Sequence, residues 1–312
     1  MTIKKLLDAP DKQIKQLEKV VAQQQKQIER LRAPRSKSPA AKAATKKTGK
    51  TFLRIFCGDS HGVYEDAAAT KAFIDDVKAL QPAEIIHGGD ILEAGTFLAQ
   101  HHVIGTVAQS KYTFEDDVLA ANNLLDRIQK AAPKARLTLI EGNHDARIEK
   151  ACLTWALQKS IDAAYLLKLF SPQVVLNLDK RGIRFVRRSE YYDGLNLSGT
   201  IKLEFGLLAQ HGEGFCGPNA TRQHVQSCGS SLIHGHNHRL DAYYVDSANG
   251  VLGGWGTGCL CQRRPMWQHT KVTGWVTGYL VQVVTPGVGY TCFPVPIIDG
   301  VSCIKPLLGL LK

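Results

Sequence analysis

Five short clusters of Asp, Asn and His constrain the fold of this 312-residue chain more than any other feature of its sequence. Each cluster closely follows a short apolar segment that has the pattern of a β-strand. The clusters are Asp59-Ser60-His61, Gly89-Asp90, Gly142-Asn143-His144-Asp145, His211-Gly212 and Gly235-His236-Asn237-His238. Because ligands of α/β sheets bind at the carboxyl ends of the strands, we expect the five clusters to converge on one site.

The segments around these clusters predict an α/β core. From Thr51 onward, short apolar runs alternate with amphipathic helical stretches, an order that is typical of a sheet covered by helices. The first five predicted elements are a strand at Thr51–Cys57, a helix at Glu65–Leu80, a strand at Ala83–His87, a helix at Glu115–Ala131 and a strand at Arg136–Ile140. Later strands are predicted at Arg184–Arg187, Ile201–Ala209, Leu232–His234, Ala242–Val245, Val276–Thr285 and Tyr290–Val295.

The side chains in the clusters suit two divalent transition metals. Oxygen donors and imidazoles occur in one set, a mixture that favours Mn, Fe, Zn or Co over Ca or Mg alone. The candidate ligands are Asp59, His61, Asp90, Asn143, His211, His236 and His238. Taken singly, Asp-x-His often occurs by chance, Gly-Asp is common in turns, and a lone histidine is usually structural. The prediction therefore depends on all five clusters occurring in this order.

As a set, these motifs resemble those of the calcineurin-like metallophosphoesterase family over about residues 52–298. The resemblance implies an α/β four-layer sandwich, in which two mixed β-sheets are flanked by helices. It implies a first metal held by Asp59, His61, Asp90 and His238, and a second held by Asp90, Asn143, His211 and His236, with Asp90 bridging the two. It also implies that His144 lies over the site without binding metal, and that Asp145 orients it.

These roles predict a hydrolase of phosphate esters. Two cations about 3.5–4 Å apart would share a carboxylate and a water, and would make that water a hydroxide at neutral pH. We expect Mn, with Fe, Zn or Co as alternatives. His144 would protonate the leaving oxygen, and Asp145 would fix its tautomer. Arg147 and Arg239 each follow a metal cluster and could hold a phosphate oxygen, although a surface arginine is the alternative for both.

The sequence of the second motif counts against a protein phosphatase. Protein Ser/Thr phosphatases of the family have an Asp-Arg-Gly string there, whereas this chain has Gly-Asp-Ile-Leu-Glu-Ala-Gly at 89–95. The chain is more similar to the small metallophosphoesterases of phage and prophage genomes, and more distantly to the DNA-repair exonuclease branch. The segment Gln262–Lys271, with Arg263, Arg264, Trp267 and Lys271, suits a phosphate backbone with a stacked base, or is a solvated loop.

The N-terminal 50 residues differ in character from the rest of the chain. They contain 14 Lys and Arg against 4 Asp and Glu, so nearly all of the net charge of +11 lies there. Residues 1–32 predict a basic helix, and residues 33–50 a disordered basic linker before a catalytic domain at 51–312. The helix has a heptad seam, which favours a parallel two-stranded coiled coil and hence a homodimer through residues 11–32. The alternative is a helix lying on its own catalytic domain. The seam is formed by Ile14, Leu17, Val21, Gln24, Ile28 and Leu31.

These features together favour a phosphodiesterase or nuclease that acts on nucleic acid, bound through the basic arm. A phosphomonoesterase or small-nucleotide phosphodiesterase is the first alternative, and a non-catalytic nucleic-acid-binding adaptor the second. With no apolar run of 18 residues we expect no membrane span. Without an apolar signal-peptide core, and with eight scattered Cys, we expect a cytoplasmic protein, although a mitochondrial transit peptide is an alternative.

Overall fold

A computed structural model describes residues 49–95, 112–155, 160–248, 250–265 and 272–304. The chain divides into two units, Met1–Lys47 and Thr48–Lys312. The predicted helix at 1–32 and nearly all of the predicted linker at 33–50 lie outside the described residues, as do Trp267 and Lys271. The fold below is therefore that of the second unit.

The larger sheet has seven strands in the order β12-β11-β10-β1-β2-β3-β4. Four of them run parallel, namely β1 (Phe52–Cys57), β2 (Glu84–His87), β3 (Arg136–Ile140) and β4 (Arg184–Val186). The other three continue the sheet antiparallel from β1, namely β10 (Gly278–Thr285), β11 (Gly289–Ile298) and β12 (Val301–Ser302). The sheet is therefore mixed, with the parallel strand ends at one edge.

The smaller sheet has five strands in the order β5-β6-β7-β9-β8. They are β5 (Thr200–Lys202), β6 (Leu208–Gln210), β7 (Leu232–His234), β8 (Leu240–Ser247) and β9 (Gly250–Thr257). The pairs β6·β7 and β7·β9 are parallel, and the two outer pairs are antiparallel. Here again a parallel pair brings two strand ends, those of β6 and β7, to the same edge.

Seven α-helices occur in the described part of the chain. They are α1 (Ala67–Leu80), α2 (Phe114–Ala131), α3 (Arg147–Trp155), α4 (Ser160–Phe170), α5 (Pro172–Val175), α6 (Leu178–Arg181) and α7 (Ala220–Cys228). The N-cap of helix α1 is Asp66, whose carboxylate accepts from the N–H groups of Ala68 and Ala69. Helix α2 begins with a reciprocal capping box between Thr113 and Asp116. Such caps satisfy amide groups that have no partner inside the helix.

The alternation of side chains along the strands creates the layers. In β1, Ile55 faces the helices α1 and α2, whereas Phe56 lies in a second core between the two sheets. In β7, Ile233 joins that second core, and Leu232 packs with Val225 of α7 on the outer side. Because successive strand residues point to opposite faces, two sheets bury three apolar layers. The order helix, sheet, sheet, helix confirms the predicted four-layer α/β sandwich.

One strand prediction was wrong, and strands β9 and β12 were not predicted. The run Ile201–Ala209 is not one strand but the antiparallel pair β5 and β6, because the chain reverses through Phe205 and Gly206, with φ of 60° and 77°. Strand β9 was missed because glycines interrupt its apolar pattern. No helix in the described ranges is long and apolar enough to cross a membrane.

Candidate metal centre

All five sequence clusters lie at one edge of the two sheets, after the carboxyl ends of β1, β2, β3, β6 and β7. Backbone hydrogen bonds hold the loops together. The N–H of Asp59 donates to the carbonyl of Gly89 (2.9 Å), and the N–H of His61 to that of Asp90 (3.0 Å). The N–H of Gly235 donates to the carbonyl of His211 (2.9 Å), which joins the two loops of the smaller sheet. The loops therefore form one interlocked platform.

Five of the seven candidate ligands have a left-handed backbone. Their φ angles lie between 51° and 66° at Asp59, His61, Asp90, His236 and His238. This conformation costs a non-glycine residue on the order of 1 kcal/mol or more, and such strain clusters at functional sites. The hydrogen bonds and packing of the platform hold these residues in a conformation that aims their side chains at a common volume.

One group of ligand atoms surrounds His61 and His238. The two Nε2 atoms lie 3.1 Å apart. Oδ1 of Asp59 lies 3.3 Å from Nε2 of His238, and Oδ2 of Asp90 lies 3.9 Å from Nε2 of His61. These are the four residues expected to hold a first metal.

A second group of ligand atoms surrounds Nε2 of His211. Oδ1 of Asn143 lies 2.9 Å from this atom, and Oδ2 of Asp90 and Nδ1 of His236 both lie 3.3 Å from it. The carboxylate of Asp90 therefore approaches both groups. The structure brings together all seven residues predicted as ligands.

Two of the histidines have their Nδ1 atoms engaged by acceptors of the protein, which leaves their Nε2 atoms facing the site. Nδ1 of His211 lies 2.8 Å from the carbonyl of Gly88, which can only accept, so this nitrogen carries the proton. Nδ1 of His61 likewise faces a carboxylate oxygen of Glu93 at 2.7 Å. Nε2 of His61 then faces Nε2 of His238, and Nε2 of His211 faces the side-chain oxygens of Asn143 and Asp90. Imidazole nitrogens and carboxylate or amide oxygens that converge in this way are the donors that divalent transition metals bind once the rings lose their Nε2 protons, so the residues fit a two-metal site.

Burial and neighbouring charged side chains together shift the pKa values of the residues in the site. Burial alone would raise the pKa of Asp90, but His211, His144 and His61 hold it well below its usual value. Burial would lower the pKa of His211, yet the Asp90 carboxylate raises it to about 10. Burial and the nearby His211 lower the pKa of His236 to about 4. Asp90 therefore stays ionised, as a bridging ligand must be.

His144 lies beside the ligand groups. Its ring meets that of His61 edge-on, with centroids 4.6 Å apart, and its Nε2 is 4.0 Å from Oδ2 of Asp90. Its Nδ1 is 3.0 Å from Oε2 of Glu93. Burial opposes the charged form of His144, but Asp90 and Glu93 outweigh burial and raise the pKa of its imidazole. This ring is placed to carry a proton to or from a group bound at the ligands.

Glu93 is the carboxylate that orients His144, and the sequence analysis missed it. Oε2 of Glu93 contacts both His144 and His61, and the side chain is 1 % exposed. Its backbone N–H, with that of Ala94, donates to the carboxylate of Asp117 on α2 (3.0 and 2.8 Å). Its position three residues after Asp90, in the loop that leaves the metal edge, was the signal available in the sequence.

The orienting role predicted for Asp145 is therefore corrected. The carboxylate oxygens of Asp145 accept from the N–H groups of Asp90 (2.9 Å), Leu92 (2.9 Å) and Gly142 (2.8 Å). Burial and the charge of Asp90 raise the pKa of Asp145 to about 7. Its side chain turns back under the loops and ties the second cluster to the third, so it supports the platform instead of His144.

A family model supplies the identification. The model of the calcineurin-like phosphoesterases matches residues 54–240, which include all five clusters. The chain belongs to the calcineurin-like phosphoesterase family. It is a metallophosphoesterase, a hydrolase that acts on phosphate esters, as the sequence motifs predicted. The family uses divalent metals, and the His and Asp groups described above can hold them.

Solved structures similar to this phosphoesterase are distant in sequence. Vacuolar protein sorting 29 from Cryptosporidium parvum is 10% identical, with a TM-score of 0.44 over 81% of this chain and 95% of that one. Yfce, a phosphoesterase from E. coli, is 14% identical, with a TM-score of 0.34 over 77% and 98%. The nuclease MPE from Pseudomonas putida is 17% identical, with a TM-score of 0.30 over 77% and 86%. No curated protein matches the chain.

The two arginines predicted to bind substrate, Arg147 and Arg239, differ in their burial and in their contacts. Arg147 is buried, and its Nη1 donates to the carbonyl (2.9 Å) and to Oε1 (3.2 Å) of Glu93, while its Nη2 is 3.1 Å from Nε2 of His144. Arg147 therefore holds Glu93 beside His144, and phosphate binding by Arg147 stays a prediction. Arg239 is half-buried, and its guanidinium lies against Gly274. Phosphate binding by Arg239 stays a prediction.

Proposed function

We propose that this metallophosphoesterase is a phosphodiesterase or nuclease that acts on nucleic acid in the cytoplasm with two divalent metals, Mn being the expected ion. The observation that carries the proposal is the convergence of seven ligand side chains in two groups that share Asp90. A first metal would bind Asp59, His61, Asp90 and His238, and a second Asp90, Asn143, His211 and His236. Two divalent ions bound there would supply a nucleophile at neutral pH and neutralise charge on the phosphate.

The chain's own residues supply orientation and proton transfer. Nδ1 of His144 is held by Glu93, so Nε2 is the atom that would exchange a proton with the leaving oxygen. Nη2 of Arg147 contacts the same nitrogen at 3.1 Å. This contact favours the neutral ring, whereas Glu93 and Asp90 favour the charged one. Their net effect raises the pKa of His144, which favours the protonated ring that a general acid needs.

The preference for nucleic acid is supported by the placement of charge. Residues 1–50 hold 14 of the chain's 39 Lys and Arg and only 4 of its 28 Asp and Glu. A basic segment of this kind attracts polyanions without reading their sequence. A homodimer through residues 11–32 would present two such segments at once, which increases effective concentration on a long substrate.

A panel of substrates with Mn-reconstituted protein tests the proposal. Bis-p-nitrophenyl phosphate and single-stranded DNA should be hydrolysed faster than p-nitrophenyl phosphate, and EDTA should abolish all activity. Metal analysis should approach two ions per chain. Asp90→Asn should lose more metal than any other single substitution, because Asp90 alone approaches both groups. Asp246→Asn, at an exposed carboxylate of β8, is the matched control.

Two outcomes would redirect the proposal. Hydrolysis of the monoester without the diester would point to a phosphomonoesterase. Full metal content without hydrolysis of any substrate would point to a nucleic-acid-binding adaptor.

A further inference from the structure

A pocket with a basic and aromatic lining adjoins the metal centre on the side of His238. It has a volume of about 510 Å³, within the range of about 300–1,000 Å³ that is common for ligand pockets. Its walls are Asp66, Gln262, Arg263, Arg264, Val272, Thr273 and Trp275. None of these residues belongs to the metal ligands or to the group around His144.

Trp275 connects this pocket to the metal ligands. Its ring packs against the imidazole of His238, with centroids 4.0 Å apart and the planes tilted by 56°. The ring also lines the pocket and is only half-buried. A planar ligand stacked on Trp275 would therefore lie next to a group bound at the metals.

The backbone around Trp275 is tied to the metal platform. The N–H of Val276 donates to the carbonyl of His238 (2.9 Å), and the N–H of Cys259 to the carbonyl of Val276 (3.0 Å). Two residues before Gln262 of the lining, the N–H of Leu260 contacts the carbonyls of Gly58 and Asp59, both at 3.2 Å. Such tethering holds the pocket at a fixed distance from the metals, as a substrate subsite requires.

The charges of the pocket favour an anion. Arg263 and Arg264 are exposed, and Arg263 makes one exposed contact, at 3.4 Å to Asp299. Arg264 has no ion-pair partner among the residues that the structure describes. Asp66 is the one acidic residue of the lining, and its carboxylate is engaged as the N-cap of α1. The pocket thus offers two cations beside an aromatic ring and the exposed Val272.

We propose that this pocket binds the nucleotide next to the scissile phosphate of a single-stranded nucleic acid, with the base stacked on Trp275 and the next phosphate held by Arg263 and Arg264. Cations that track a backbone, combined with an aromatic platform for bases, are the common means of binding single strands without sequence preference. The assignment rests on the proposed phosphodiesterase function and adds to it a preference for substrates that carry a base.

Binding without turnover is the first test. The full chain in EDTA is titrated with a labelled oligothymidylate and with an abasic oligomer of equal length, and anisotropy is measured. The wild type should prefer the thymidylate by about ten-fold, the order expected for one stacked base. Trp275→Leu should abolish this preference and Trp275→Phe should keep part of it. Arg264→Ala should weaken binding of both oligomers. Arg222→Ala, at an exposed position on α7, is the control for charge.

Turnover is the second test. With Mn present, Trp275→Leu should lower the ratio of kcat/KM for thymidine 5′-(p-nitrophenyl phosphate) to that for bis-p-nitrophenyl phosphate by about ten-fold. If Trp275→Leu keeps both the wild-type preference for the thymidylate oligomer and the wild-type ratio of kcat/KM, the proposed subsite is wrong. If Trp275→Leu lowers kcat/KM equally for both esters, Trp275 only supports His238. If the wild type hydrolyses no diester but still prefers bases through Trp275, the proposed function fails while the subsite stands.

Discussion

At the scale of single residues, one carboxylate connects the proposed acid to the proposed first metal. Glu93 contacts Nδ1 of both His144 and His61 through Oε2, and Arg147 through Oε1. A carboxylate behind a histidine fixes its tautomer and raises its basicity. Glu93 therefore couples the orientation of a proposed ligand to that of the residue that would transfer the proton.

His144→Ala should keep the metals but lose most of the turnover. His144 is not in the proposed ligand set, and general acid catalysis typically contributes about 10²–10⁴-fold. The loss should be smaller for esters of nitrophenol, which leave without protonation, than for alkyl esters. Rates and metal content measured for both ester types check this, and equal losses for both would refute an acid role.

Like His144→Ala, Glu93→Gln should lose less activity on esters of nitrophenol than on alkyl esters. It should also bind metal about 10–100-fold more weakly. The amide removes the charge that raises the pKa of His144 and loosens His61 as well. Rates at saturating Mn separate the two effects. Asp145→Asn is the comparison, because Asp145 supports backbone N–H groups and not His144. If Asp145→Asn reproduced the leaving-group effect and Glu93→Gln did not, the assignment of the orienting carboxylate would be reversed.

The convergence of the candidate ligands was predictable from sequence, whereas the contacts of the residues behind them were not. Asp59, Asp90, Asn143 and the four histidines each follow a strand, and the end of that strand fixes where they lie. Asp145 and Glu93 were confused because the direction of a side chain in a loop depends on backbone angles. Asp90 and Ala94, on either side of Glu93, have φ of 51° and 46°. No periodic pattern in a sequence reports such angles.

At the scale of elements, the loops at the strand ends pack with almost no spare room. A Cβ on Gly142 would fall on the carboxylate and backbone nitrogen of Asp90, and a Cβ on Gly89 would fall on the ring of His211 and on Gly142. The loop after β3 therefore packs directly against the loop after β2. The platform can hold Asp90 in place only if the residue before Asn143 has no side chain.

Gly142→Ala should displace Asp90 and cause loss of metal. Overpacking of this kind typically costs about 1–3 kcal/mol of folding stability. Gly217→Ala is the matched control, because a Cβ there would meet nothing within 4 Å. Metal content and Tm of both variants check this, and a Gly142→Ala protein with normal metal content would show that the loops can separate.

The sequence pattern predicted helices and strands accurately where apolar residues occupy the buried positions of the element. Strands β1, β2 and β3 and helix α2 lie within one residue of their predicted bounds, because their apolar residues repeat with the period of the element. Strand β9 was missed because Gly253, Gly254 and Gly256 lie against neighbouring side chains or backbone and leave no pattern. The reversal between β5 and β6 depends on a left-handed Phe205, which propensity does not report.

At the scale of the whole molecule, acid should destabilise the fold through the buried His87. Burial is the main cause that lowers the pKa of His87 to about 4, from 6.5. Above pH 6.5 the ring is neutral in both states, and its contribution to stability is complete. As the pH falls from 6.5 to about 4, His87 binds a proton in the unfolded chain but not in the folded one. The free energy of unfolding therefore falls by about 1.4 kcal/mol per pH unit.

His87→Phe should remove that acid sensitivity. Between pH 7 and 4 the wild type should lose on the order of 3 kcal/mol more than the variant in its free energy of unfolding. Urea unfolding of both proteins at each pH, in EDTA, measures the difference. Parallel curves for the two proteins would mean that another group controls the acid transition.

The distribution of charge along the chain predicts that residues 1–50 supply affinity for nucleic acid and not catalysis. Of the net charge of +11, a balance of +10 lies in these residues, while every proposed metal ligand lies after them. Lys-rich chains bind phosphates by releasing counterions, so that binding weakens steeply with salt. A chain without residues 1–50 should therefore have a higher KM for long DNA at low salt and an unchanged kcat for bis-p-nitrophenyl phosphate. Both chains should be compared on both substrates across a salt series. If truncation leaves the DNA affinity and its salt slope unaltered, the basic segment does not bind nucleic acid, and a small phosphate ester becomes the preferred substrate.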